Sequence, residues 1–379
     1  MDLYNVYTLF DVTPVKGLGA YVYDQEGTEY LDFYGGHAVI SVGHSHPTYV
    51  AALQDQISKI GFYSNSVINP LQQVLADRLE SVSGTTGYDL FLINSGAEAN
   101  DNALKLASFY KGRKKVLALT NGFHGRTSAA INVTHTGQKH QAPINHGVDV
   151  TYCYYEDIES IIREIKSAQY AGIIIEAIQG VGGLDMIADD SLRMIRKHCD
   201  DTDTILIMDE VQCGYARSGD FFAFQSAGIQ PDIVSMAKGM GNGFPIGGIL
   251  IDSRKLPAVK AQLGTTYGGN HLACRAASAV LDIIHEEQLV ENAKNIGIYL
   301  KERLSQLPHV IRIKGRGLMM GLELDQEVAH IRKKLVYDYK LFTGSSSNKR
   351  LLRLLPPLNI TTEQADLFLE KISEALHQI

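Results

Sequence analysis

Short apolar runs alternate with amphipathic stretches through the middle of the chain. Apolar positions at helical spacing predict helices, the clearest over residues 97–111, 158–166 and 190–198. Five apolar or β-branched runs between such stretches are predicted strands, over residues 90–93, 115–119, 171–176, 204–209 and 233–236. Several of these strands are apolar throughout, as expected where helices cover both faces of a parallel sheet. The pattern predicts an α/β domain that binds ligands at the carboxyl ends of its strands.

The two ends of the chain follow other patterns. Glycines punctuate the first 45 residues, where a hairpin over residues 20–31 is predicted. A long helical pattern covers residues 271–298, and residues 311–324 are predicted to be strands around two glycines. Residues 344–349 are rich in glycine and serine and predict a mobile loop.

These patterns predict two domains. We expect a small α+β domain built from both chain ends, residues 1–45 and 270–379. The large domain, which would hold the ligand, then covers residues 46–269.

Composition narrows the class of protein. The chain has 379 residues, of which 45% are hydrophobic, so it can bury a large core. Its net charge of −7 argues against nucleic acid or an anionic membrane as a partner. No apolar run is long enough to predict a membrane span, and the amino terminus does not resemble a signal peptide. Four widely spaced cysteines favour reduced thiols and a cytoplasmic protein.

Lys238 is the first candidate for chemistry. It lies in DIVSMAKGMGNGFPIGG, just after an apolar predicted strand and at the start of a glycine-rich loop. Partial desolvation at that position would lower the pKa of the amine and make it nucleophilic. An ordinary surface lysine is the alternative that this segment alone leaves open.

Asp209 ends an apolar run in TILIMDEVQCGYARSG. A carboxylate at the end of a buried strand is costly unless it meets a positive partner, such as the protonated ring nitrogen of a cofactor. Metal ligation by Asp209 and Glu210, or a simple turn residue, are the alternatives.

Three further segments suggest binding. Ser95 and Gly96 stand where a predicted strand enters a helix, which is either an anion site or an ordinary helix cap. Phe123 and Arg126 lie in NGFHGRTSAA, where the aromatic ring could stack on a planar ligand and the arginine could meet a carboxylate. The histidines of VGHSHP are better explained as turn residues before a helix that begins at Pro47 than as metal ligands, and we expect no metal site.

The order of these segments is more specific than any one of them. NSGAEAN, FHGR, EAIQGVGG, MDEVQCGYARSG, SMAKG, GTTYGGN and RLLPPL follow one another from about Tyr7 to the carboxyl terminus. This arrangement resembles the class III aminotransferases, and especially their acetylornithine, succinylornithine and ornithine branch. The resemblance implies a fold-type I enzyme that depends on pyridoxal phosphate, with a mainly parallel sheet in its large domain.

The resemblance also implies roles for particular residues around that cofactor. Lys238 would hold it as a Schiff base, and Asp209 would pair with its ring nitrogen. Other residues would contact the phosphate and the ring of the cofactor. These are Ser95, Gly96 and Ala97 at the phosphate, Phe123 and Val211 on the ring faces, and Gln212 at the ring hydroxyl. Thr266 would reach the phosphate in a neighbouring subunit, which implies a homodimer with shared active sites.

Substrate contacts are implied in the same way. Arg126 would bind the substrate carboxylate, with Tyr7 and Thr265 nearby, and Arg353 would bind the α-carboxylate of 2-oxoglutarate or glutamate. Glu176, the third catalytic residue, would pair with Arg353 when an amine donor is bound and swing aside for the dicarboxylate.

The implied reaction moves the δ-amine of an N-acylornithine to 2-oxoglutarate in arginine biosynthesis. His37 departs from the family pattern, which has tyrosine or an aliphatic residue there. The sequence therefore does not decide whether the acyl group is acetyl or succinyl. A histidine near the pocket could favour an anionic succinyl tail.

Other activities remain open. Within the family, ornithine, 4-aminobutyrate or another ω-amine could be the donor, or the chain could be a mutase. A regulatory protein that has lost catalysis is disfavoured by the intact Lys238, Asp209, Arg126 and Arg353. A nucleotide-binding Rossmann enzyme is disfavoured because Gly17 and Gly19 lack a third glycine and open no helix.

Overall fold

The computed structural model describes residues 1–378 except the side chain of Lys139, and it contains one large sheet and two small ones. The strands are β1 (Pro14–Leu18), β2 (Tyr21–Asp24), β3 (Glu29–Asp32), β4 (Asp89–Ile93), β5 (Lys115–Leu119), β6 (Asp149–Cys153), β7 (Gly172–Ile175), β8 (Ile205–Asp209), β9 (Ile233–Met236), β10 (Gly247–Ile251), β11 (Val310–Arg316), β12 (Met319–Leu324), β13 (Leu341–Phe342), β14 (Gly344–Ser345) and β15 (Leu351–Leu354). The helices are α1 (Gly35–Ala38), α2 (Pro47–Lys59), α3 (Pro70–Ser83), α4 (Gly96–Lys111), α5 (Ser128–Asn132), α6 (Ile158–Lys166), α7 (Asp189–Thr202), α8 (His271–Glu286), α9 (Leu289–Leu304), α10 (Ala329–Tyr337) and α11 (Thr362–His377).

The large sheet has seven strands in the order β4-β10-β9-β8-β7-β5-β6. Strand β10 is antiparallel to both of its neighbours, and the other six strands run in one direction. Every residue of β7, β8, β9 and β10 is buried, which explains why these runs are almost entirely apolar, with Ser235 and Asp209 as the polar exceptions. The predicted α/β fold with a mainly parallel sheet is confirmed.

The helices begin and end at residues suited to those positions. Ser95 caps α4 by accepting a hydrogen bond from the backbone N–H of Glu98, and Gly112 ends the helix in the left-handed conformation. Thr361 and Gln364 form a capping box at the start of α11. As expected, α2 begins at Pro47.

Two predictions for the ends of the chain are wrong in part. The helical pattern over residues 271–298 belongs to two helices, because Gln288 adopts a left-handed φ of 52° and separates α8 from α9. Both helices carry apolar residues at the same spacing, so the pattern hides the break. Gly344, at the start of the predicted mobile loop, belongs instead to β14, which pairs with β15. A side chain at Gly344 would approach the ring of Tyr34 to 2.8 Å, so close packing explains the glycine.

The small sheets join distant parts of the chain. The order of one is β1-β2-β3-β13, with β3 and β13 parallel, and that of the other is β11-β12-β15-β14. The domain limits at residues 45 and 270 stay a prediction. Within residues 1–378, no helix combines the length and apolar character needed to cross a bilayer.

Candidate active site

Five of the predicted site residues lie at one edge of the large sheet. Strands β4, β5, β7, β8 and β9 run in the same direction, so their carboxyl ends share that edge. At or just after those ends come Ser95, Phe123, Glu176, Asp209 and Lys238. The fold thus brings together residues that are up to 143 positions apart, at the edge where such sheets bind ligands.

Lys238 begins a short 3-10 turn directly after β9, and it has a left-handed φ of 47°. Its side chain is partly accessible, yet the surroundings of its amine are poorly solvated. This burial lowers the pKa of Lys238, while the charges of Asp209 and Glu176 oppose the shift. A larger fraction of the amine is therefore uncharged and nucleophilic than for a solvated lysine.

Asp209 is buried and held by three donors. Its Oδ2 atom accepts hydrogen bonds from Nδ1 of His124 and Nδ2 of Asn100, each at 2.7 Å. Its Oδ1 atom accepts one from the backbone N–H of Val211 at 3.0 Å. Behind them, the hydroxyl of Ser235 donates to Oδ1 of Asn100 at 2.6 Å and so fixes the orientation of that amide.

His124 and Asn100 are the functional residues that sequence reasoning missed. Burial acts to lower the pKa of His124, but its hydrogen bond to Asp209 and that carboxylate's charge outweigh burial and raise it. The two side chains form a buried, hydrogen-bonded pair. Both residues stand inside the quoted motifs FHGR and NSGAEAN, but the spacing alone did not show that they face Asp209.

Glu176 and Arg353 flank the same backbone residue, Gly180. Glu176 accepts from the backbone N–H groups of Phe123 at 2.9 Å and Gly180 at 2.8 Å. The Nη1 atom of Arg353 donates to the carbonyl of Gly180 at 3.1 Å and to Oε1 of Gln212 at 3.2 Å. Within the described residues the two side chains form no ion pair with each other, so their predicted pairing is not made here.

Burial affects both groups in the direction that favours their neutral forms. It raises the pKa of Glu176 and lowers the pKa of Arg353. At each group burial outweighs the opposing interactions with the protein. A ligand group of opposite charge beside Glu176 or Arg353 would therefore stabilise the charged form of that side chain.

The start of α4 forms a cradle for an anion. Gly96 and Ala97 are the first helical residues, where backbone N–H groups have no partner within the helix. A Cβ atom at Gly96 would lie 2.6 Å from Cγ1 of Val211, so only glycine lets this helix start approach the end of β8. The cradle and Asp209 are therefore held next to each other.

His37 faces a group of cations. It has a left-handed φ of 67°, and its Nδ1 atom lies 2.6 Å from the hydroxyl of Tyr34. Although part of its surface is open to solvent, burial, together with the charges of Arg353, Lys238, Arg332 and Arg126, lowers the pKa of His37 to about 4. His37 is therefore neutral at pH 7 and cannot itself supply positive charge.

Four predicted residues lie at the margin. Tyr7 is 72% exposed in an amino-terminal segment without regular structure, and Arg126 and Thr266 are also exposed. The hydroxyl of Thr265 accepts from Nδ2 of Asn94 at 3.2 Å, next to the start of α4. The single chain thus brings Thr265 to the helix start but leaves Tyr7 and Thr266 outside the cluster.

The two histidines of the HSH segment have separate partners. His44 pairs with Asp32 and His46 with Glu287, each at 2.8 Å. Within residues 1–378 no group of three or more His, Cys, Asp or Glu side chains is arranged to hold a metal ion.

Comparison with known proteins identifies the family of this chain. Residues 4–376 match the family described as Aminotransferase class-III. The acetylornithine aminotransferase of Aquifex aeolicus is 38% identical over 99% of both chains, and that of Bacillus subtilis is 35% identical over 99% of this chain and 97% of its own.

Solved structures are similar along nearly the whole chain. The acetylornithine aminotransferase of Elizabethkingia anophelis superimposes with a TM-score of 0.85 at 26% identity, covering 98% of this chain and 94% of that one. The ornithine aminotransferase of Toxoplasma gondii gives a TM-score of 0.90 at 27% identity, covering 98% and 91%. The resemblance seen in the sequence motifs is confirmed, and the chain belongs to the class-III aminotransferases.

Proposed function

We propose that this chain is a pyridoxal-phosphate-dependent aminotransferase that moves the δ-amine of an N-acylornithine to 2-oxoglutarate. The products would be an N-acylglutamate 5-semialdehyde and glutamate, in arginine biosynthesis. The observation that carries the proposal is the placement of the Lys238 amine and the His124-bound Asp209 carboxylate at one sheet edge. Full-length similarity to acetylornithine aminotransferases supports the donor.

The residues present fit this cofactor. Asp209 accepts from two donors at Oδ2 and one at Oδ1, so its carboxyl group is fixed and its Oδ1 atom could accept from a protonated ring nitrogen. The Gly96 cradle suits the phosphate, with Ser95 and Ala97 beside it. Phe123 and Val211 would cover the two ring faces, and Gln212 would contact the ring hydroxyl. When bound, pyridoxal phosphate supplies an aldehyde that condenses with amines and a ring that withdraws electrons from the neighbouring carbon.

The protein's own groups would perform the remaining steps. Lys238 would hold the cofactor through its amine. With a substrate amine bound, the free amine of Lys238 would be the base that takes and holds the proton from the carbon bearing that amine. His124 would hold the Asp209 carboxylate in place through their hydrogen bond. Arg126 and Arg353 would orient the substrate carboxylates. Glu176 would balance the charge of Arg353 when the bound substrate has no carboxylate beside that arginine.

A second copy of the chain would complete the site. Thr266 is exposed beside Tyr267, whose ring lies 5.4 Å from that of Phe62, and both aromatic residues are exposed as well. An apolar surface next to a predicted phosphate ligand supports a homodimer in which Thr266 enters the neighbouring site. The four free, buried cysteines support a cytoplasmic setting.

A panel of amine donors tests the reaction. Purified enzyme would be given N-acetylornithine, N-succinylornithine, ornithine or 4-aminobutyrate with 2-oxoglutarate, and glutamate would be measured. We expect an N-acylornithine to give the highest kcat/KM. A higher value for ornithine or 4-aminobutyrate would replace the proposed donor, and turnover without 2-oxoglutarate would indicate a mutase.

A further inference from the structure

The turn that carries Lys238 is conformationally strained. Lys238 and Asn242 both have left-handed φ angles, of 47° and 46°, although neither is glycine. Such angles cost free energy and persist where the surroundings impose them, often at functional sites. Contacts with other parts of the chain must therefore impose these φ angles on residues 238–242.

The turn's own backbone bonds leave part of it unsupported. Within it, the N–H of Met240 bonds to the carbonyl of Ala237, and the N–H of Gly241 to that of Lys238, each at 3.0 Å. These bonds do not use the buried carbonyl of Gly239, and the buried carbonyl of Gly241 accepts from the N–H of Phe244 at 2.9 Å, just beyond the turn. The carbonyl of Gly239 needs a donor from elsewhere, because an unpaired buried carbonyl is costly.

Two hydroxyl groups from a distant part of the chain donate to the carbonyls of Gly239 and Gly241. The hydroxyl of Ser41 donates to the carbonyl of Gly239 at 2.7 Å. The hydroxyl of Tyr49 donates to the carbonyl of Gly241 at 2.6 Å. Both side chains are buried, so water does not compete for these bonds.

The side chain of Asn242 also joins the Lys238 turn to this distant part of the chain. Its Oδ1 atom accepts from the backbone N–H groups of Ser41 at 2.8 Å and Val42 at 3.1 Å. Its Nδ2 atom donates to the carbonyl of Gly43 at 3.0 Å. Asn242 is 6% exposed, and these hydrogen bonds of its side-chain amide are all made to one loop, residues 41–43. Asparagine also tolerates a left-handed φ better than most residues, so its type fits both demands.

We propose that Asn242, together with Ser41 and Tyr49, is a positioning residue that holds the Lys238 turn in its strained form. The loop 41–43 follows directly on the segment that carries Tyr34 and His37, so the same part of the chain would shape the substrate pocket and place the reacting amine. The inference rests on the proposed function in one respect: it takes Lys238 as the amine that reacts.

Asn242→Gly is the informative substitution. Glycine accepts the left-handed φ without strain, so this variant removes the hydrogen bonds while keeping the backbone conformation available. Asn359→Ala is the matched control. The Nδ2 atom of Asn359 donates to the carbonyl of Val42 at 3.0 Å, so this variant removes a bond to the same loop without touching the Lys238 turn.

The first measurement uses cofactor-free protein. Reductive methylation with formaldehyde at a series of pH values, followed by mass spectrometry of the Lys238 peptide, gives the midpoint at which the amine loses its proton. We expect the midpoint in Asn242→Gly to rise toward that of an ordinary lysine, because a relaxed turn lets the amine reach water. The charged groups around it, Asp209, Glu176 and Arg353, are unchanged in this variant. Asn359→Ala should keep the wild-type midpoint.

The second measurement is steady-state turnover. We expect kcat of Asn242→Gly to fall by at least about tenfold with little change in KM, since misplacing a reacting group slows the chemical step. A midpoint within about 0.3 pH units of that of wild type and Asn359→Ala, together with a kcat within about twofold of theirs, would overturn the proposal. If Asn242→Gly does not fold, Tyr49→Phe and Ser41→Ala each remove one hydroxyl, and both must shift the midpoint in the same direction. An active Lys238→Ala would refute the proposed function, whereas the midpoint measurement does not depend on activity.

Discussion

The Nδ1 atom of His124 lies 2.7 Å from Oδ2 of Asp209, and both side chains are almost completely buried. Strand β8 places the carboxylate at the sheet edge, while His124 comes from the loop after β5, 85 positions earlier in the chain. The hydrogen bond from His124 offsets part of the cost of placing a carboxyl group in buried surroundings. A carboxyl group fixed at this position is what the proposed cofactor chemistry requires.

Replacing His124 tests this pairing. We expect His124→Ala to lower kcat/KM by about 10–100-fold, because a hydrogen bond to a charged group contributes about 1.5–3 kcal/mol. His124→Gln, which can keep a donor near Oδ2, should lose less. Equal losses in the two variants, measured with the same substrates, would argue that the charge on His124 and not its hydrogen bond is what matters. Wild-type kcat/KM in His124→Ala would show that Asp209 does not need this partner.

Lys238→Ala is expected to abolish transamination, because the variant lacks both the covalent anchor and the base. Glutamate production and cofactor retention after dialysis would be measured. The conservative variant Lys238→Arg keeps the charge but offers no nucleophilic amine, so it should be equally inactive. More than trace activity in either variant would contradict the role assigned to this lysine.

Glu210 gives a pH dependence of stability. Its carboxyl accepts from the backbone N–H groups of Ala223 and Phe224, yet burial outweighs these bonds and raises its pKa to about 7. A carboxyl with a raised pKa binds protons more tightly in the folded state. Its contribution to the free energy of unfolding is therefore full at low pH and is lost as pH rises from about 4.5 to about 7.

Urea unfolding at pH 5 and pH 8 checks this. The wild-type free energy of unfolding should contain a Glu210 contribution that falls by about 3 kcal/mol over this interval, an order-of-magnitude figure. Glu210→Gln should be less stable at pH 5 but should show a smaller decrease between the two pH values. An identical decrease in wild type and variant would mean that Glu210 ionises normally.

His37 tests the identity of the acyl group. His37 is neutral at pH 7, so it could offer an anionic succinyl tail only a hydrogen bond. The positive charge that pairs with this tail would come from Arg332 or Arg126. We expect wild type to prefer N-succinylornithine and His37→Ile to shift the ratio of kcat/KM toward N-acetylornithine by about 3–10-fold, as for a neutral hydrogen bond. An unchanged ratio would remove His37 as a determinant, and Arg332→Gln would then show whether charge selects the tail.

Shared active sites can be tested with mixed dimers. A tandem-purified dimer of one Lys238→Ala chain and one Thr266→Ala chain should contain one intact site and have about half of the wild-type kcat. The matched control joins a wild-type chain to a chain that carries both substitutions, so that no site is intact. Equal activity of the two mixed dimers would show that Thr266 does not act in the neighbouring subunit.

The sequence by itself determined the α/β fold, the strand ends that carry Ser95, Phe123, Glu176, Asp209 and Lys238, and the family. It could do so because fully buried strands are continuous apolar runs and because site residues follow those runs directly. Helix ends were also predicted well wherever a capping residue or proline marks them, as at Ser95 and Pro47.

Only the tertiary structure decided what surrounds those residues. It showed that Asn100 and His124 hold Asp209, that Gly180 stands between Glu176 and Arg353, and that Asn242 joins the lysine turn to residues 41–43. These contacts link positions as far as 201 residues apart, and hydrogen bonds of this kind leave no periodic pattern in the chain. The pKa of His37 likewise depends on cations brought from four separate segments, so it follows from their packing and not from local sequence.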